Sequence, residues 1–121
     1  MARDTLLTSN EVVQQLSRLG TQLDGAVEAL KDADQDAARK RLAADLAESN
    51  AFVNAEGPMD LRRHISRIAA GPMEEQAVVA ESVARYLKQR IYAIGLRVEI
   101  GRSYGAAVRA EVRGLGGQDG P

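Results

Sequence analysis

The sequence predicts an all-α protein: a long, coiled-coil-like antiparallel helical hairpin with a short connecting helix, assembled as an oligomer. Three observations carry that prediction. Apolar or small residues recur at alternating spacings of four and three over long stretches, the signature of a helix burying one stripe against another helix. The tetrapeptides GPMD (57–60) and GPME (71–74) have the make-up of a helix end followed by a helix start. Aromatic residues are 3% of the 121, with one Phe and no Trp, too few for a large globular core.

Helix 1 is expected over about 9–55. Thr8 and Glu11 have capping-box spacing, in which each side chain satisfies an otherwise orphan backbone donor. The stripe then runs Val12, Leu16, Leu19, Leu23, Ala26, Leu30, Ala33, Ala37. Gly20 and Gly25 each weaken the helix by about 1 kcal/mol relative to Ala, yet the pattern runs through them. At the next position the stripe meets Lys40, and apolar character is expected to resume out of register at Leu42, Leu46 and Val53. A bend is expected near residues 31–37.

The two GPM motifs frame a short helix 2 of about 58–70, with Leu61, Ile65 and Ile68 on one face. Gly closes one helix and Pro opens the next, where its missing N–H has no partner to lose. Asp60, Glu74 and Glu75 then lie at positive helix-dipole ends. Helix 3 is expected over about 72–113, with a seam of Ala80, Ala84, Leu87, Ile91, Ile94, Val98, Gly101, Gly105, Val108 and Val112. Gly101 and Gly105 lie on that seam, where a missing side chain lets another backbone approach closely. A second stripe, Ala93, Leu96, Ile100, Tyr104 and Ala107, falls on the opposite side and is the expected oligomer interface. Residues 1–113 thus read as a single helical domain, and 114–121, rich in glycine, as a disordered tail.

Composition removes several function classes. With no Cys there is no disulfide and no thiolate chemistry, and His64 is the lone histidine, so no metal site is expected. No nucleophile–base pair, HExxH, P-loop or strand-borne GxGxxG occurs, so the chain reads as a non-enzyme without a cofactor. No apolar run has membrane-span length and the N-terminus lacks a signal-peptide core, so the expected location is cytoplasmic, that of the host if the protein is phage-encoded. The net charge of -1 conceals a polarity. Residues 1–60 carry six Lys/Arg and eleven Asp/Glu, whereas 61–121 carry ten and six.

Three basic clusters are candidate contacts for an anionic strand: Arg39, Lys40 and Arg41; Arg62, Arg63 and Arg67; and Lys88, Arg90, Arg97, Arg102, Arg109 and Arg113. The competing use of the helix 3 cations is pairing with Asp24, Glu28, Asp32, Asp34 and Asp36 of helix 1.

At AFVNAEGPMDLRRHISRIA and YLKQRIYAIGLRVEIGRSYGAAVRAE the chain resembles small helical proteins of tailed bacteriophages, laid out like the UvsY-type recombination mediators. The likeness covers about residues 40–111 and is one of pattern and length. It implies an oligomer that binds single-stranded DNA and helps load a recombinase onto strands coated by single-strand-binding protein. The pattern carries basic residues just before the glycine turn, where this chain has Glu48 and Glu56 instead. The DNA contact then lies at Arg39–Arg41, or on helices 2 and 3, or is absent. The alternative is a structural or adaptor coiled coil without nucleic acid, for example in virion assembly. A small regulator that blocks a host protein is a third possibility.

Overall fold

The computed structural model describes residues 8–117, with side chains as far as Gly114. Two helices pack as an antiparallel hairpin: α1, Ser9–Asn54, and α2, Met59–Gly117; no strand occurs among the described residues. The capping box opens α1. Thr8 N–H donates to Glu11 Oε2 and Glu11 N–H donates to Thr8 Oγ1, both at 3.2 Å. The helix then runs unbroken through 31–37.

At its other end, Ala55 N–H donates to the Ala51 carbonyl at 2.9 Å. Gly57 then takes a φ of 111°, a conformation that favours glycine, and reverses the chain. The last turn of α1 has no basic residue of its own. Arg62 of α2 supplies one: its guanidinium lies 4.4 Å from the Phe52 ring centroid, and Nη2 donates to the Phe52 carbonyl at 3.1 Å. A cation thereby meets the negative end of the α1 dipole.

The second GPM motif behaves differently from the first, and this corrects the expected division into helices 2 and 3. α2 passes straight through Gly71 and Pro72. Gly71 has no positive φ, so it does not cap a helix. Pro72 deprives the Ile68 carbonyl of its backbone donor, a defect of about 3 kcal/mol in a helix interior. Tertiary packing outweighs it, because Ala70 and Ala77 on either side are 3% and 0% exposed and belong to one seam. That seam runs Ser66, Ala70, Ala77, Ala80, Ala84 and on to Val108 at heptad spacing, with one step of seven across Pro72 where Met73 is exposed. A break at Pro72 would put one side out of phase. α2 also continues to Gly117, so the expected tail is helical over 114–117, and 118–121 lie outside the described residues.

The helices contribute to two compact units. The first draws on Met1–Val27 and Arg90–Pro121. Its core is Leu19, Ala26 and Ile94, flanked by Leu23, Ile91 and Val98. Each large aliphatic side chain fully buried there contributes about 1.5–3 kcal/mol. Gly101 and Gly105 face α1 in this unit. A Cβ at Gly101 would lie 2.8 Å from Leu16 Cδ2, and one at Gly105 would lie 3.2 Å from Val12 Cγ1.

The second unit, Glu28–Gln89, is built the other way round. Its buried residues are Ala37, Ala44, Ala70, Ala77, Ala80, Ala84 and Ser66. Each alanine methyl brings only about 0.8 kcal/mol, but such short side chains let two helices approach closely. Ser66 meets its own need by donating to the Arg63 carbonyl at 2.8 Å. The expectation that α1 loses register after Ala37 is corrected here: the seam continues through Ala44, Ala47 and Ala51. Leu42, Leu46 and Val53 are on the outside, 59%, 53% and 72% exposed.

Two glycine substitutions should move stability in opposite directions. A methyl group at Gly25 would meet nothing within 4 Å, so Gly25→Ala should stabilise by about 1 kcal/mol through helix propensity alone. Gly105→Leu must displace buried, β-branched Val12 and should cost about 1–3 kcal/mol. Urea unfolding of the two variants beside wild type checks both signs.

Candidate nucleic-acid interface

A cation can hold a phosphate only if its charge is not already answered within the fold, so each basic cluster is judged by its partners. The first cluster is engaged at Lys40 and Arg41, while Arg39 is exposed and forms no ion pair among the described residues. Arg41 lies at the edge of the alanine seam, with Nη1 2.6 Å from Glu74 Oε2 and Nη2 2.6 Å from Glu81 Oε1. Its Nε also donates to Glu81 Oε2 at 3.3 Å, which makes the Glu81 contact bidentate. Lys40 pairs with Asp36 one turn back at 3.0 Å, and Arg39 Nε donates to the Gln35 carbonyl. Of the three, Arg41 is the one whose charge is most fully answered within the fold.

Its placement answers a need of the second unit. Alanines repeated every three or four residues fit one another in several registers, because no knob is distinctive. Glu74 and Glu81 are seven residues apart on α2, and Arg41 bridges both. A slip of one heptad leaves one of those bonds unmade. The hydrogen bonds from Arg41 hold the Glu81 carboxyl below the usual carboxylate range, and those from Glu81, then Glu74, push the Arg41 guanidinium further up.

The second cluster divides. Arg62 is engaged on Phe52, with its Nε buried and unpartnered. Arg63 reaches Met59 Sδ at 3.4 Å, and Arg67 forms no ion pair among the described residues. His64 is exposed.

The third cluster is the most available. Lys88 sits at the limit of pairing with Asp34, 4.0 Å away, and Arg102 has a loose contact of 3.8 Å with Glu99 on its own helix. Arg90, Arg97, Arg109 and Arg113 are exposed, and none forms an ion pair among the described residues. Pairing with α1 acids thus accounts for Lys88 at most. Arg90 and Arg97 lie on one edge of α2, and Arg102 and Arg109 on the other, each pair seven residues apart. Within the first unit they bracket the outer stripe.

Of that stripe, Ala93, Leu96, Ile100 and Ala107 face outward. Tyr104 differs from them in exposure. It is half-buried and lines a cleft of about 180 Å³ with Val12, Leu16, Leu19, Arg97 and Gly101, a cleft that Ile100 of the stripe also borders. The spacing explains this: after Ile100 the outward alternation continues at Ser103 and Ala107, one residue off Tyr104. The reading from sequence also missed the start of the stripe. Leu61, Ile65, Ile68, Val79 and Tyr86 obey the same alternation earlier on α2 and are exposed, hidden only by the assumed break at Pro72.

Among the described residues no helix is long and apolar enough to cross a membrane, and no three His, Cys, Asp or Glu side chains are grouped to hold a metal. Comparison with protein-family models, curated proteins and solved structures returns no match.

The Arg41 bridge sets a pH dependence. Because Glu81 titrates lower in the folded chain, its contribution is present above the ordinary carboxylate range and is lost as pH falls through its lowered value. Between neutral pH and about pH 3, Glu81→Gln should lose less melting temperature than wild type. Equal losses would show that the bridge carries no pH-dependent stability.

Proposed function

We propose that this chain is an oligomeric, non-catalytic accessory of DNA recombination or replication that holds single-stranded DNA electrostatically. The observation that carries the reading is the set of exposed α2 cations at Arg90, Arg97, Arg109 and Arg113, without ion pairs among the described residues. An isolated pair of arginines binds a strand weakly. Copies joined through the outer stripe would align several such pairs, and neutralised phosphates would then release condensed counterions together. With so few aromatic residues the mode is charge rather than base stacking, so sequence preference is weak. Help in loading a recombinase onto strands covered by single-strand-binding protein is the part of the reading that comes from the resemblance to phage mediators.

A second reading is favoured by a different observation. Large apolar side chains face outward from an alanine seam, which suits a structural or adaptor coiled coil whose partners are other helices. In that case the free arginines serve solubility.

A gel shift with labelled single strands at low and physiological salt separates the two. Affinity should fall with a log–log slope of about -0.7 per phosphate contacted. Replacing Arg97, Arg102 and Arg109 with Gln preserves length and helix propensity, so it should flatten the slope and leave the oligomer mass unchanged. Wild-type protein without affinity at low salt would transfer the conclusion to the structural coiled coil.

A further inference from the structure

In the first unit, α1 and α2 leave between them a cleft of about 180 Å³. Its floor is apolar: Val12, Leu16 and Leu19 of α1, with Gly101 of α2 adding backbone alone. Ile100 and the half-buried Tyr104 stand along its α2 side. Two exposed polar side chains complete the lining, Gln15 and Arg97. No carboxylate lines the cleft, so Arg97 is its one charge.

That lining selects the chemistry of an occupant. A dry apolar cavity of about 150 Å³ admits a benzene ring, so this cleft has room for one ring. A plain hydrocarbon would ask nothing of Gln15. The Gln15 amide offers a donor and an acceptor side by side, and it makes no hydrogen bond among the described residues. A flat heterocycle with donors and acceptors along its edge answers that amide. Arg97, with no ion pair among the described residues, adds a guanidinium suited to a phosphate. Arg90 lies on the same edge of α2 one heptad away, about 10 Å along the helix, where a strand leaving the cleft meets a second cation. Ring, polar edge and phosphate together describe a nucleotide.

We propose that the cleft seats one base of a bound single strand, with Gln15 at the base edge, the Tyr104 ring against the base and Arg97 on the adjoining phosphate. This rests on the reading that the chain holds single-stranded DNA, and deepens it. Stacking along a whole strand needs more aromatic residues than the chain has, but one seated base per copy needs only Tyr104. The Gln15 amide can turn to suit different edges, so the seat separates a base from none rather than one base from another.

A gel shift of the full chain with two strands of equal length tests the seat: oligothymidylate, and a deoxyribose-phosphate strand without bases. Both carry the same phosphates, so their salt slopes should agree. Oligothymidylate should still bind about tenfold tighter, the scale of one base held against an aromatic side chain. Gln15→Leu with Tyr104→Leu should abolish that ratio and leave the affinity for the abasic strand unchanged. Equal affinities in wild type, or a ratio that survives in the double variant, would overturn the seat and leave the charge-held strand standing. No affinity for either strand at low salt would overturn both. Should the double variant lose helicity by circular dichroism, the wild type gives the answer alone. Thymidine monophosphate should shift the Gln15 side-chain amide signals in a nitrogen–proton NMR spectrum, and deoxyribose phosphate should not. An equal response to the two compounds would overturn the seat.

Discussion

Close contact between short side chains is the constraint on which the second unit depends. Ala44 of α1 and Ala77 of α2 are almost wholly buried, at 1% and 0% exposure. A seam this tight buries little apolar area per residue. The larger side chains of the same segments are therefore displaced to the outside, whatever their hydrophobicity. The first unit makes the opposite choice over most of its length, with Leu19 and Ile94 inside. It uses close approach only where Gly101 and Gly105 meet Leu16 and Val12.

A seam of repeated alanines holds helices together but does not say which turn faces which. Polar contacts at its margins supply that information. Arg41 bridges Glu74 and Glu81, and Arg62 joins the Phe52 ring and carbonyl at the reversal. Both arginines read naturally from sequence as members of basic clusters. In the fold they serve register and capping, as geometry and partners decide. The acidic first half and basic second half do not neutralise each other across the hairpin in general. Most of the α2 arginines beyond Gln89 form no ion pair among the described residues.

The outward apolar residues of the second unit have a plain physical origin. When the inner stripe is closed by alanine, the side chains able to form strong contacts are the ones left at the surface. In the first unit the unpaired α2 arginines stand beside a core of Leu19, Ala26 and Ile94 instead.

Much of this was legible in the sequence because it is local or strictly periodic. The Thr8–Glu11 capping box needs only residues three apart, and the four-and-three alternation in α1 and α2 needs only counting. Gly101 and Gly105 could be placed on the packed side by the same count. What the tertiary structure decided is shown by the two GPM motifs, nearly identical in residues and opposite in outcome. At Gly57 no seam continues, so the backbone takes its positive φ and the chain reverses. At Gly71 buried Ala70 and Ala77 stand on either side of Pro72, and keeping both in one seam outweighs the missing hydrogen bond. Local preference sets what each tetrapeptide costs in either conformation. The contacts made by residues far away in the chain set which cost is met.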